Sequence, residues 1–193
     1  MKISLLLLSL LLFTQTLFAE MTVQERAIKT QRAVKIGKEV SQKLLQTLQK
    51  NLKRHMKKGG PLAAAKFCNI NATKLTLEVQ KQFNAGIKVR RVSLKTRNSS
   101  NTPTKMDDTI LETFKALSKL QTLPPYLMLE KKHSFTYYQP LIINNAVCLK
   151  CHGDIKKASA LANFLKQHYP QDKALGYKLK DLRGAIVVDI PHK

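Results

Sequence analysis

The stretch Ile87-Lys88-Val89-Arg90-Arg91-Val92-Ser93-Leu94-Lys95 alternates aliphatic with polar, mostly basic, residues directly after a long run of helical patterning. Period-two alternation rich in Val and Ile is the mark of a half-buried strand. This stretch decides the fold class, because without strands the chain reads as a helical bundle. A second such run, Arg183-Gly184-Ala185-Ile186-Val187-Val188-Asp189-Ile190, ends the chain. Between them, 126–130 and 134–143 can pair as a hairpin across Lys131-Lys132-His133. Helices in front and a small antiparallel sheet behind define an α+β class.

Working back toward the N-terminus, residues 22–58 read as one amphipathic helix. Val34, Val40, Leu44, Leu45, Leu48 and Leu52 recur at helical spacing, and Lys, Arg and Gln fill the other faces. A sparse heptad through Val23, Ala27, Val34, Leu44 and Leu48 is interrupted by Thr30, Gly37 and Ser41, so packing against the domain is favoured over a coiled-coil dimer. Gly59-Gly60-Pro61 stops that helix and starts another, with Pro61 suited to a first helical position. The second helix runs from Leu62 to about Phe83, with Leu62, Ala65, Cys68 and Ala72 on one face. Downstream, 107–120 and about 156–168 read as short helices, and 98–103 as a polar loop.

Lys2, the apolar run through Leu12 and the taper to Ala19 have the form of a secretory signal peptide, with cleavage expected after Ala19. An uncleaved anchor is the minor alternative, since the apolar run is short for a span of about 20 residues. The division expected is a signal peptide over 1–19, an N-terminal amphipathic helix over 20–58, and a region over 59–193 that forms one domain with that helix. Export in a two-membrane bacterium means the periplasm. The formal net charge of +22 would suggest nucleic acid in the cytoplasm, but export argues against that partner. An acidic protein partner, an anionic membrane surface, or a solvated basic face remain.

The chemistry concentrates at Cys148-Leu149-Lys150-Cys151-His152. In a c-type haem site the two thiols add to the haem vinyl groups and the histidine becomes an axial ligand. Given 3 Cys and 5 His in 193 residues, a chance CxxCH is expected roughly once in a thousand such chains. A structural zinc site needs four ligands, and no second Cys pair exists. A thioredoxin-type dithiol needs a βαβ setting, and no parallel unit is evident. Haem is the favoured reading, with zinc and a metal-free dithiol behind it.

One further iron ligand would complete such a site. Cys68, Met106, Met128, His55, His133, His168 and His192 qualify by chemistry. Cys68 is the odd cysteine of an exported chain and calls for an explanation. From the residues alone it reads equally as an iron ligand and as a small buried hydrophobe.

Several segments, in order, resemble a family of exported single-haem c-type proteins with a PAS-like fold, the Tll-type haem domain long catalogued as of unknown function. They are Ala63 to Cys68, Arg91 to Asn98 with Asn101 and Pro103, Tyr138-Gln139-Pro140, Cys148 to Gly153, Gly176-Tyr177, and Asp181 to Ala185. The resemblance implies a PAS-like antiparallel sheet with long N-terminal helices packed against it. It implies one haem c bound through Cys148 and Cys151, with His152 and Cys68 as axial ligands. Arg97 and Arg183, which lie in matching segments, are candidate partners for the haem propionates; Arg91, Tyr137 and Tyr138 follow them. Ser99 replaces a usual proline, Lys180 replaces a usual glycine, and a proline common after the Cys-His-Gly is missing.

The function expected is a periplasmic redox or small-ligand haem sensor that signals through a partner protein. The alternatives are an electron-transfer cytochrome whose basic surface docks an acidic redox partner, and a metal-free thiol-disulfide oxidoreductase. No acid/base pair or nucleophile constellation points to hydrolysis or group transfer, so the chain is not read as an enzyme, haem-based redox activity apart.

Overall fold

The computed structural model describes residues 3–84, 86–155 and 159–192, with side chains from residue 22 onward. The expected leader over 1–19 therefore lies outside the residues whose side chains are described. Among the described residues no helix is long and apolar enough to cross a membrane.

Helix α1 (Ile3–Lys81) is two arms joined at an elbow. Gly59 and Gly60 leave helical geometry, and Gly60 adopts φ 67°, a left-handed conformation open to glycine. Pro61 then starts the second arm, as its fixed φ and missing N–H allow. The His55 and Phe67 rings stack across the elbow at 3.8 Å between centroids.

Four antiparallel strands follow: β1 (Lys88–Val92), β2 (Leu127–Glu130), β3 (Ser134–Ile142) and β4 (Leu182–Pro191). Their order in the sheet is β1-β4-β3-β2. The chain's last strand is thus central, with Val89 opposite Val188 and Tyr137 also opposite Val188. The expected hairpin is β2–β3, with Met128 opposite Tyr137. The structure is mixed α+β with the long N-terminal helix on the sheet, as expected, and a helical bundle is excluded.

Alternation sends side chains to two cores. On one face Val89, Phe135, Tyr137, Ile186, Val188 and Ile190 pack against Ala33, Val40 and Leu44 of α1. Gly37, which breaks the heptad pattern, is where the helix meets the sheet. A Cβ there would lie 2.3 Å from Cγ of Tyr137. Buried Ser41, one turn on, bonds Gln139 Oε1 at 2.5 Å. On the other face Val92, Tyr138, Ala185 and Val187 pack against Ile110, Leu111 and Phe114 of α2 (Lys105–Lys119).

Helix α2 starts two residues before its expected position, because Thr104 and Asp107 form a reciprocal capping box. The buried Asp107 carboxylate also accepts two bonds from Arg90, at 2.7 and 2.9 Å, and one from the Tyr138 hydroxyl at 2.9 Å. Burial alone would raise its pKa; the bonds from Arg90, Thr104 and Tyr138 outweigh it and hold the carboxyl below its ordinary value. Two short helices, α3 (Ala146–His152) and α4 (Ala160–His168), lie between β3 and β4. The helix expected from about 156 is capped by Ser159, so its described portion starts later.

Candidate functional site

The pentapeptide Cys148–His152 forms most of α3. The Asn145 side chain caps the helix by accepting the Val147 N–H at 2.9 Å. The Gly153 N–H closes it on the Leu149 carbonyl at 2.8 Å. A Cβ on Gly153 would sit 2.7 Å from that carbonyl oxygen, so the residue after the histidine must be small. One helical turn separates Cys148 from Cys151 and brings the two thiols to the same side, with His152 adjoining.

The loop that returns to β4 fixes His152. Its Nδ1 lies 2.9 Å from the Ala174 carbonyl oxygen, and its own carbonyl accepts the Tyr177 N–H at 2.9 Å. Burial first, then the charges of Arg183 and Arg97, push the imidazole pKa down to about 3, against a smaller upward pull from Ala174. The ring is therefore neutral near pH 7. A carbonyl oxygen only accepts, so Nδ1 carries the proton and Nε2 keeps a free lone pair. A histidine held through Nδ1–H to a backbone carbonyl is oriented as a metal ligand is. The edge of the buried Tyr177 ring meets the imidazole at 6.1 Å.

Arg97 underpins this arrangement. Its Nε donates to Asp172 Oδ2 at 2.8 Å, and its Nη2 donates to the carbonyls of Cys151 at 2.7 Å and Ala174 at 3.3 Å. Asp172 in turn accepts the Ala174 N–H at 2.8 Å. Arg97 and His152 thus share one carbonyl, and the Arg97–Asp172 pair is close to buried, at 13% and 7% side-chain exposure. Arg183 donates from Nη1 to Ser93 Oγ at 2.6 Å and lies 5.4 Å above the Tyr177 ring.

Cys68 comes from the second arm of α1. It lies one turn past Ala65, which packs with Leu161 and Leu165 of α4 and against Cys151. Burial pushes the Cys68 thiol up, and Arg91 and Arg97 partly oppose this. The charges of Cys68 and Cys148 help raise Cys151, after burial and against Arg97. So Cys68, Cys148, Cys151, His152 and Arg97 form one neighbourhood, although they come from α1, α3 and the β1–α2 connection. All three cysteines are free thiols. Arg91, half-buried, faces the same neighbourhood and among the described residues has no carboxylate partner.

The other six sixth-ligand candidates lie elsewhere. His55 serves the elbow, and its Nδ1 contacts the Asn51 carbonyl at 2.9 Å. His168 stacks on Phe164, His192 lies tilted against Phe135, and His133 and Met106 are exposed. Met128 packs against the core beneath α1. Tyr137 and Tyr138, offered as propionate partners, belong to the two cores instead: one stacks on Tyr126, the other serves Asp107. Sequence reasoning missed Asp172 and Ala174, which act through backbone and second-layer contacts that leave no motif. Tyr177 had a signal, the Gly176-Tyr177 match, but no role.

Among the described residues no three His, Cys, Asp or Glu side chains converge to hold a metal ion by themselves. The described sheet is antiparallel throughout, so the CxxC lacks a thioredoxin-type setting.

Residues 16–191 match the Tll0287-like family. The crystal structure of the cyanobacterial heme-protein Tll0287 is similar, with a TM-score of 0.60 and 25% identity, covering 88% of this chain and 96% of that one. No curated protein matches the sequence.

Proposed function

The chain belongs to the Tll0287-like family, and from that membership we propose that it is a single-haem c-type protein acting as a redox or small-ligand sensor. The observation that carries the proposal is the neutral, oriented His152 imidazole at the end of CxxCH, with the lone Cys68 thiol in the same neighbourhood. In this reading Cys148 and Cys151 attach the haem, and His152 and Cys68 are its axial ligands.

The residues present fit that group. Two such donors are too few for a bare ion, and a haem would supply the remaining iron ligands together with a one-electron couple. Arg97 and Ala174 hold the imidazole in the tautomer that ligates. Cys68 is a thiol whose proton must leave for it to bind, and the nearby cations Arg91 and Arg97 favour its thiolate. Of the two arginines first suggested for the propionates, Arg97 commits Nε and Nη2 to protein groups. Arg91 is the cation better placed to take an outside anion. The antiparallel sheet runs against a dithiol exchanger of the thioredoxin type, which needs a βαβ setting.

We place the protein outside the cytoplasm on the strength of residues 1–19 and the maturation that covalent haem requires. Electron transfer through a basic surface is the second reading, supported by the +22 charge.

The deciding experiment is expression in a cytochrome c-maturing host. The proposal expects a red protein that stains for haem after denaturation, and a Cys68→Ala variant that keeps its haem while its ferric spectrum changes. A colourless product, or an unchanged Cys68→Ala spectrum, would overturn attachment or ligation respectively. Exposure of the reduced protein to CO and NO tests sensing; no spectral response to either would favour electron transfer.

A further inference from the structure

A cavity of about 700 Å³ opens between α2 and the start of β4. None of the three cysteines nor His152 lines it, so it opens beside the candidate haem site, with Tyr177 and Arg183 as a shared wall. Its apolar lining comes from Leu94, Leu111, Ile142 and Leu182. Its cations are Lys95, Lys115, Lys119, Lys180 and Arg183, against a single acid, Asp181.

That acid is already engaged, since its Oδ2 accepts the Lys178 N–H at 2.7 Å. Lys115 is answered by Glu112 at 3.0 Å. Lys95 points its ammonium at the Leu175 carbonyl and over the Tyr177 ring, 4.5 Å from the centroid. Among the described residues Lys119 and Lys180 have no carboxylate partner. Lys180 is held at the cavity in a left-handed conformation, φ 73°, with its N–H bonded to the Ile143 carbonyl at 2.8 Å. The volume lies in the range of small-molecule sites, which combine an apolar lining with a few polar groups. An apolar floor under an excess of unanswered positive charge selects one chemistry.

We propose that this cavity binds a small amphipathic organic anion, an apolar body carrying one carboxylate. The apolar body packs on Leu94, Ile142 and Leu182, and the carboxylate faces Lys119 and Lys180. Two of the lining residues, Tyr177 and Arg183, also face His152, so an occupant would touch the wall of the haem site without entering it.

The test is titration of the full chain as purified with 2-naphthoate, followed by calorimetry and by the fluorescence of the ligand. Neutral 2-naphthalenemethanol and inorganic phosphate serve as controls. Saturable binding of one naphthoate is expected, with each control at least about tenfold weaker. Replacing the exposed pair, Lys119→Glu with Lys180→Glu, is expected to weaken naphthoate about tenfold or more while folding is retained. Ser118→Trp, at the cavity lining on α2, is expected to abolish binding. Naphthoate binding unchanged by both variants would overturn the site. The alcohol binding as tightly as naphthoate would overturn the role of charge, and phosphate binding as tightly would overturn the amphipathic class.

Discussion

Lys180 occupies a conformation that suits glycine, and the departure noted in the sequence becomes a local strain in the structure. A left-handed residue with a Cβ costs about 1–2 kcal/mol. Lys180→Gly should therefore stabilise the protein by about 0.5–1 kcal/mol after the added freedom of the unfolded glycine is subtracted. Urea denaturation reads this; a loss of stability would mean that the side chain contributes more than its backbone costs. Arg97 makes a contrasting case. It joins the carbonyls of Cys151 and Ala174 to Asp172, so Arg97→Ala leaves a near-buried carboxylate without its partner. A loss of about 3 kcal/mol is expected. Arg97→Lys should recover only part of it, because a single ammonium cannot span three acceptors. If the lysine variant matches wild type in chemical denaturation, Arg97 acts as a charge and not as a brace.

Each element carries a signal that is local and a position that is not. Helix α2 is the clearest example. Its capping box is readable in Thr104-Lys105-Met106-Asp107, but the same Asp107 also anchors β1 through Arg90 and β3 through Tyr138. Asp107→Asn should cost about 3 kcal/mol, more than the roughly 1 kcal/mol of a lost cap alone. The pH dependence follows from the lowered carboxyl. Its contribution is complete above the unfolded value of about 3.9 and is lost as pH falls through the lower folded value. The variant's stability should be flatter than wild type below about pH 4, which urea titrations at successive pH values will show. Helix α1 teaches the reverse lesson. Gly37 looks like a defect in a heptad and is the point of closest approach to Tyr137.

Over the whole molecule, acid sensitivity has a second source in His152. Its folded pKa of about 3 lies below the unfolded value of about 6.5, so the unfolded state binds the extra proton between them. In the haem-free chain, stability should fall steadily as pH drops from about 6.5 toward 3. His152→Gln, which cannot take up that proton, should remove this part of the slope. A wild-type chain equally stable at pH 7 and pH 5 would contradict the neutral, buried imidazole on which the site rests. The net charge of +22 adds self-repulsion throughout and makes salt a variable to hold fixed in these measurements.

The sequence by itself determined the α+β class, the elbow at Gly59-Gly60-Pro61, the hairpin and the CxxCH, because each is written in adjacent residues through periodicity, backbone freedom or ligand spacing. The tertiary structure alone decided that the final strand lies at the sheet's centre, since strand order depends on packing between distant segments. It alone set Cys68 within electrostatic reach of Cys151 and gave Arg97 the bonds that brace His152. Those contacts join residues from about 50 to more than 80 positions apart, and no local pattern in the chain encodes such a meeting.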